Sequence, residues 1–206
     1  MPANRYDLLC IEGIAAALRA FLGKGKLPLY TIKNANEKRE QIFVKPETKE
    51  VRPYALGAIL RNVRFSRNSY NSFIDLQDKL HENICRKRTL CSMGTHDLDK
   101  VKFPVTYEAL PPEEIVFQAL KQDKEMNTRD LFGVLKDDQK LKKYLGIIED
   151  KPRYPVFYDQ NRTVLSLPPI INSETTKITL DTKNVFIDIT GTDYTRAKVV
   201  VAILAC

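Results

Sequence analysis

The octapeptide SMGTHDLD, residues 92–99, collects side chains that could do acid–base or binding chemistry. Gly94 permits a tight turn after the apolar run that precedes it, so the spacing predicts a short polar loop. That loop would carry Thr95, His96 and Asp97. Binding and catalytic groups concentrate on loops that rigid strands hold, but an Asx-type turn with incidental polarity is an equally good interpretation. His96 is therefore a candidate site residue.

A second candidate lies in FIDITGTD, residues 186–193, where Asp188 interrupts an apolar strand pattern. With a period of two, Phe186, Asp188 and Thr190 share one face of that strand. An aromatic ring, a carboxylate and a hydroxyl on one face could line a pocket that has a polar end. A solvated strand face is the alternative, and the pattern does not separate the two.

The segment TVLSLPPIIN, residues 163–172, offers one hydroxyl beside an apolar stretch. Proline cannot donate to a sheet ladder and fixes the backbone φ angle. We therefore expect the chain to leave its sheet just after Ser166 and to continue as a stiff apolar loop. Two interpretations stay open, namely a capped core strand and one wall of a pocket for a flat, mostly apolar ligand.

Three cations, Arg86, Lys87 and Arg88, stand at the predicted end of a long helix. Cations there suit the helix dipole, and a phosphate grip on RNA is the alternative. His81 falls in the middle of the same helix, one turn from Gln77, where a surface or rim position is its simplest interpretation.

Common signatures of cofactor and nucleophile sites are missing from the sequence, which has no phosphate-binding glycine loop, HExxH, paired CxxC or GxSxG. The four cysteines have neither metal-ligand spacing nor the look of a disulfide framework. We therefore expect no metal site and a reducing compartment.

The 206 residues suit one medium domain, or a domain with a fragment of a neighbour. Lys and Arg number 33 against 26 Asp and Glu, and the net charge of +7 favours an acidic partner such as nucleic acid without requiring one. No apolar run reaches membrane-spanning length and the N-terminus lacks a signal pattern, so we expect a cytoplasmic protein. Neither end has a polar cap, which suggests a piece of something larger.

Helical and strand periodicities predict the elements that must position these groups. Helices are predicted over residues 5–22, 70–88 (with Ser72 and Asp75 as its cap) and 127–149 (capped by Asn127 or Thr128), and from near Thr195. Strands are predicted within residues 27–33 and 40–46 (as a hairpin), 52–65, 89–101, 105–110, 154–159, 162–167, 175–180 and 184–192, with a short element from residue 111 and a turn at 159–162. This pattern is typical of an α+β fold, in which a largely antiparallel or mixed sheet is covered by helices.

The long motifs FIDLQDKLHENICRKR, GTHDLD, YPVFYDQNRTVLSLPPIIN and TKNVFIDITGTDYTRAKVV resemble the beta subunit of eukaryotic cytosolic phenylalanine–tRNA ligase. The likeness covers nearly the whole chain. It implies that residues 1–25 are the tail of that subunit's N-terminal domain. Residues 26–206 would be its central editing domain, cut within the last helix.

In that family the editing domain hydrolyses tyrosine that has been attached to tRNA(Phe) in error. The resemblance implies an aromatic-sized slot in which Asp188 and Thr190 accept the phenol hydroxyl. A site built to hydrogen-bond a hydroxyl rejects the analogue that lacks it by roughly 10⁴ to 10⁵. The substrate-binding residues implied are Phe157, Ser166, Leu167, Pro168, Asp188 and Thr190.

The resemblance also implies catalytic positions at Thr95 and His96. His96 would orient water or the terminal ribose, and backbone amides near Gly94 and Thr95 would stabilise the oxyanion. Water would attack, assisted by a ribose hydroxyl of the substrate. The acceptor end of the tRNA would approach over Gln77, His81, Arg86, Lys87 and Arg88.

Other implications concern the intact enzyme, which pairs two alpha with two beta subunits and uses ATP and magnesium. No cofactor is expected in this chain, because activation of phenylalanine belongs to the alpha subunit. Two alternatives stay open. One is a non-catalytic module for tRNA acceptor-end binding or subunit assembly, and the other is a module that holds free tyrosine.

Overall fold

The computed structural model describes residues 4–26, 29–31 and 39–205. Its α-helices are α1 (Ile11–Phe21), α2 (Arg67–Glu82), α3 (Thr128–Leu135), α4 (Lys142–Leu145) and α5 (Tyr194–Ala205). The strands are β1 (Ile42–Val44), β2 (Tyr54–Leu60), β3 (Cys91–Asp97), β4 (Val105–Leu110), β5 (Val116–Phe117), β6 (Met126–Asn127), β7 (Tyr154–Tyr158), β8 (Val164–Leu167), β9 (Ile171–Asn172) and β10 (Val185–Gly191). Short 3-10 helices span Tyr6–Leu9, Pro46–Glu50, Leu98–Lys100 and Pro112–Glu114.

The strands form one sheet of five, in the order β1-β4-β7-β8-β9, one of three, in the order β2-β10-β3, and the two-stranded pair β5-β6. Strand β1 pairs with β4 in parallel, and the other pairings are antiparallel. The α+β class with a largely antiparallel arrangement is confirmed.

Strands β3, β7, β8 and β10 are buried along their whole length. A strand covered on both faces has no solvated side. The solvated-face alternative for Asp188 is therefore wrong, because both faces of β10 lie in the interior.

Three apolar clusters make up the core. One packs α3 and α4 under β7 and β8, and another packs α2 and α5 on the three-stranded sheet. The third joins the two sheets through Phe157 on β7, Leu165 on β8 and Phe186 on β10. The two larger sheets therefore meet along a shared apolar seam.

Helix α2 begins and ends earlier than the periodicity predicts. Its cap is Ser66, whose hydroxyl accepts a hydrogen bond from the Ser69 amide at 3.1 Å, and not Ser72 or Asp75. The helix ends at Glu82, and residues 86–88 all have positive φ, from 46° to 66°. The three cations therefore form a left-handed turn beyond the helix and do not occupy its last turn.

Other boundaries also differ from those predicted. The helix expected over residues 127–149 is two helices, α3 and α4, although the Asn127 cap is confirmed by its bond to the Asp130 amide at 2.9 Å. In the expected 27–46 hairpin, much of the first arm lies outside the described residues, while β1 pairs with β4. Segment 175–180 makes a single β-bridge, between Lys177 and His96. None of the described helices has both the length and the apolarity needed to cross a bilayer.

Candidate functional site

A cavity of about 1000 Å³ opens between α2, β3 and the hairpin made by β8 and β9. This volume lies at the upper end of the range for small-molecule sites. The hairpin supplies an apolar wall, while β3 and β10 supply a polar floor. The lining includes Gln77, His81, Arg88, Ser92, Gly94, Thr95, Ser166, Leu167, Pro168, Asn172 and Asp188.

The apolar wall is a tight turn and not an extended loop. Leu167 pairs with Ile171, and the Ile170 amide donates to the Leu167 carbonyl at 2.8 Å. Strand β8 ends at Leu167, one residue later than expected. Leu167 and Pro168 both face the cavity, so the stretch does form one of its walls.

Asp188 anchors the polar floor. Its Oδ2 accepts hydrogen bonds from the Ser166 hydroxyl at 2.7 Å and from His96 Nε2 at 2.8 Å, and its Oδ1 accepts from the Gly94 amide at 3.1 Å. The side chain is almost fully buried. Three donors hold the carboxylate in one position while it still forms part of the cavity lining.

Serine, histidine and aspartate meet here, but not in the order that activates a serine nucleophile. In a catalytic triad the histidine lies between serine and aspartate and removes the hydroxyl proton. Here the carboxylate of Asp188 lies between Ser166 and His96. The cluster is therefore built to present a fixed acceptor, and it does not prepare Ser166 for attack.

His96 lies on strand β3 and is fully buried, so its predicted place on a loop is wrong. Its Nδ1 is 2.8 Å from the Thr176 hydroxyl, and its Nε2 faces Asp188. Both ring nitrogens are thus engaged within the protein, and the ring does not line the cavity. This geometry gives His96 the task of positioning Asp188, in place of contact with a water or a ribose.

Gly94 makes room for the carboxylate and does not make a turn. A Cβ atom at this position would lie 2.8 Å from Asp188 Oδ2 and 2.9 Å from Asn172 Oδ1, closer than carbon and oxygen tolerate. Its amide already donates to Asp188, so it is not available for an oxyanion. Thr95 does line the cavity, and its hydroxyl lies 3.4 Å from Gln77 Oε1.

Thr190 lies behind the floor in the environment of a buried arginine. Arg52 Nε donates to the Thr190 hydroxyl at 3.0 Å, and its Nη2 donates to the Thr190 carbonyl at 3.0 Å. Arg52 also donates to the carbonyls of Arg88 and Thr89 and to the Ser92 hydroxyl. Burial lowers the pKa of the Arg52 guanidinium. The expectation that Thr190 binds ligand is corrected, because its hydroxyl serves Arg52.

His81 is buried on the cavity wall, where its Nε2 accepts the Met93 amide at 3.1 Å. Loss of solvation, followed by the charges of Arg88 and Arg52, keeps the pKa of His81 well below its usual 6.5. The ring is therefore neutral near pH 7. The rim position expected for His81 is wrong.

Arg88 differs from the two cations beside it. Its Nη1 donates to the carbonyls of Pro169 and Ile170 at 3.0 and 2.8 Å, and its guanidinium lies 4.2 Å from the centre of the Tyr144 ring. Arg86 and Lys87 are exposed and do not line the cavity. The predicted cation cluster is thus divided, with one member built into the wall.

The structure therefore brings together part of the predicted set. Ser166, Leu167, Pro168, Asp188, Thr95, Gln77, His81 and Arg88 line the cavity, whereas Phe157, Thr190, His96, Arg86 and Lys87 do not. Phe157 is fully buried beside Ser166 and stacks on Tyr107 with ring centres 4.7 Å apart, which corrects its placement on the cavity wall.

Two further residues escaped the sequence analysis. Arg52 precedes a proline and was taken as punctuation between elements, although a buried arginine leaves no periodic signal. Asn172 closes the apolar stretch as an ordinary turn residue would. Its position on the floor depends on the pairing of β9 with β8, which the sequence does not show.

Comparison with known families identifies the class. Residues 41–199 match the B3/4 domain family, and residues 1–24 match the Phe-tRNA synthetase beta subunit B1 domain. Because the first match covers most of the chain, this chain belongs to the B3/4 domain family.

Individual relatives make the likeness closer. The chain is 55% identical over 206 residues to a phenylalanine–tRNA ligase beta subunit of Drosophila melanogaster, covering 100% of this chain and 35% of the relative. It is 56% identical over 201 residues to the cytoplasmic beta subunit of Arabidopsis thaliana, covering 97% and 34%, and 49% identical over 204 residues to that of Homo sapiens, covering 99% and 35%. The chain thus spans about a third of the length of these relatives.

A solved structure agrees with these matches. The crystal structure of an N-terminal fragment of the phenylalanyl-tRNA synthetase beta subunit from Pyrococcus horikoshii superposes with a TM-score of 0.90 at 35% identity. The superposition covers 98% of this chain and 57% of that fragment. The resemblance found in the sequence is confirmed.

Proposed function

We propose that this chain is the editing domain of a phenylalanine–tRNA ligase and hydrolyses the ester that joins tyrosine to tRNA(Phe). The proposal rests on the family, on a cavity large enough for an aminoacyl ester, and on a buried acceptor at its floor. The domain would remove tyrosine attached in error and leave phenylalanine in place.

Asp188 carries this proposal. Among the described residues its Oδ1 accepts one hydrogen bond, from the Gly94 amide, and a carboxylate oxygen has room for two. A phenol hydroxyl can donate into the free position, whereas the phenylalanine ring has nothing to donate. A buried acceptor discriminates strongly between two such ligands, since the wrong ligand removes water from the carboxylate without replacing its hydrogen bond.

Each neighbouring group has a task in this scheme. Ser166, His96 and Gly94 fix the carboxylate, while Leu167 and Pro168 give the aromatic ring an apolar surface. Water attacks the ester carbonyl with the help of a ribose hydroxyl of the substrate, because Ser166 donates to Asp188 and has no base to activate it.

We further assign the chain to an enzyme with an alpha subunit as partner, arranged as two alpha and two beta subunits. ATP and magnesium would be used at the synthetic site of that enzyme, by residues outside this chain. The acceptor end of tRNA(Phe) is the nucleic-acid partner, which a net charge of +7 suits. We place the enzyme in the cytoplasm, in keeping with the name of the Arabidopsis relative.

A deacylation assay tests the proposal. Protein carrying this chain, assembled with the alpha subunit, is incubated with preformed tyrosyl-tRNA(Phe) and phenylalanyl-tRNA(Phe). We expect rapid loss of the tyrosyl ester alone. Asp188→Asn should slow that loss about 100-fold or more, while Asp78→Asn, an exposed carboxylate at the same cavity, should not.

Equal stability of both esters would refute the editing function. If the protein still protected tRNA(Phe) in a filter-binding assay, the cavity would then be a non-catalytic site for the acceptor end. Tight binding of free tyrosine without hydrolysis would favour a tyrosine-binding module instead.

A further inference from the structure

Asn172 is a polar residue of the cavity floor whose side chain is unused. Its Oδ1 lies 2.9 Å from the point that a Cβ on Gly94 would occupy, and Asp188 Oδ2 lies 2.8 Å from the same point. The amide and the carboxylate therefore converge over one glycine. Within the part of the chain that the structure describes, the Asn172 side chain makes no hydrogen bond, although it lines the cavity.

The backbone of Asn172 is held on both sides. Its carbonyl accepts the Leu120 amide at 2.9 Å, and its register partner is Ser166, which itself donates to Asp188. Strand pairing thus sets the position of the amide relative to the carboxylate. A polar side chain fixed at a cavity floor without a protein partner is available to a ligand.

The two groups are chemically complementary. Asp188 can only accept a hydrogen bond, while the amide of Asn172 carries two N–H donors on Nδ2. Oδ1 is the amide atom near Gly94, which leaves Nδ2 for the ligand. A hydroxyl donates one hydrogen bond and accepts others, so it alone among small para substituents of a phenyl ring satisfies both groups well.

We propose that Asn172 is a second specificity-determining residue, which donates from Nδ2 to the phenol oxygen while Asp188 accepts the phenol hydrogen. This inference rests on the proposed editing function and adds a donor to its acceptor. The cavity then recognises a hydroxyl from both sides. A single acceptor would accept an amine equally well, whereas the pair prefers an oxygen that also accepts.

The test compares esters that differ only at the para position. Wild-type protein and Asn172→Leu, of similar shape but without donors, are assayed with tRNA(Phe) carrying tyrosine, 4-aminophenylalanine or phenylalanine. We expect kcat/KM for the tyrosyl ester to fall about tenfold in Asn172→Leu. The 4-aminophenylalanyl ester, a good donor and a poor acceptor, should change less than threefold.

Controls separate this effect from a folding defect. Asn71→Leu changes an exposed amide at the rim of the same cavity and should leave all three rates as they are. Asn172→Ala should reproduce the loss, and both Asn172 variants should unfold at the wild-type temperature.

The outcomes distinguish the two proposals. If the wild type removes tyrosine and Asn172→Leu does so at the same rate, or if the tyrosyl and amino esters lose activity equally, the donor role of Asn172 is refuted and the editing function stands. If the wild type spares the tyrosyl ester, the editing function itself fails.

Discussion

The hydroxyl of Ser166 donates to Oδ2 of Asp188 across 2.7 Å, and this contact joins strands of two different sheets. Ser166 belongs to the five-stranded sheet and Asp188 to the three-stranded sheet. The position of the acceptor at the cavity floor thus depends on how the sheets meet. The apolar seam behind it, which includes Phe157 and Phe186, keeps that meeting fixed.

Removal of this hydroxyl tests its contribution. We expect Ser166→Ala to lower the free energy of unfolding by about 1.5–3 kcal/mol, since the bond reaches a buried charged group. Tyrosyl ester hydrolysis should fall about tenfold as the carboxylate becomes less well held. Ser173→Ala removes an equally buried hydroxyl that bonds a neutral carbonyl, that of Gln118. If its loss in urea unfolding were as large, the charge of Asp188 would not explain the cost at Ser166.

A methyl group at Gly94 should displace the carboxylate directly. Gly94→Ala places a carbon within 3.0 Å of both Asp188 oxygens, and we expect a cost of about 1–3 kcal/mol from overpacking. The preference for the tyrosyl over the phenylalanyl ester should collapse. Gly133→Ala, in helix α3 with open space around it, should instead stabilise by about 0.5–1 kcal/mol. Thermal unfolding and deacylation rates check both. Unaltered ester preference in Gly94→Ala would contradict the role given to this glycine.

Burial of neutral His81 predicts a stability that depends on pH. Its folded pKa is well below 6.5, so below that pH the unfolded chain binds a proton that the folded chain refuses. Stability is therefore fully present above about pH 6.5 and declines as pH falls, by up to about 1.4 kcal/mol per pH unit from this group. His81→Gln keeps an acceptor for the Met93 amide and should reduce the slope between pH 6.5 and 5. Urea midpoints across this range decide it, and parallel curves would exclude His81 as the source.

Buried Arg52 should be intolerant of lysine. Its guanidinium serves Thr190, Ser92 and the turn that carries Arg88, and an ammonium cannot reach the same set of acceptors. We expect Arg52→Lys to lower the free energy of unfolding by about 2–4 kcal/mol. Exposed Arg64→Lys should stay within about 0.5 kcal/mol of wild type. Similar urea midpoints for the two variants would show that the charge alone suffices at position 52.

Most strands could be predicted because their periodicity and turns are local. Strand β4 begins and ends where expected, and the turn at 159–162 closes as predicted, with the Arg162 amide on the Asp159 carbonyl at 3.0 Å. Helix ends were harder. Ser66 and Ser69 cap each other, and this pair carries no acidic signal of the usual capping box.

The site was predictable only in part, for the same reason. Asp188 could be found because a charged residue in an apolar strand is conspicuous. The partners of that carboxylate depend on contacts between distant segments, such as the bond from Gly94, which local patterns do not encode. His96 was assigned to a loop because the polar run after Gly94 looks like a turn. Burial of the whole strand reverses that interpretation.

The reach of Arg88 has a mechanical consequence. Its side chain extends from the turn after α2, beside one apolar core, to the carbonyls of Pro169 and Ile170, beside another. One guanidinium thus braces the two halves of the molecule across the entrance. A shorter side chain could not span the gap, so the aperture through which any guest must pass is gauged by the length of a single arginine.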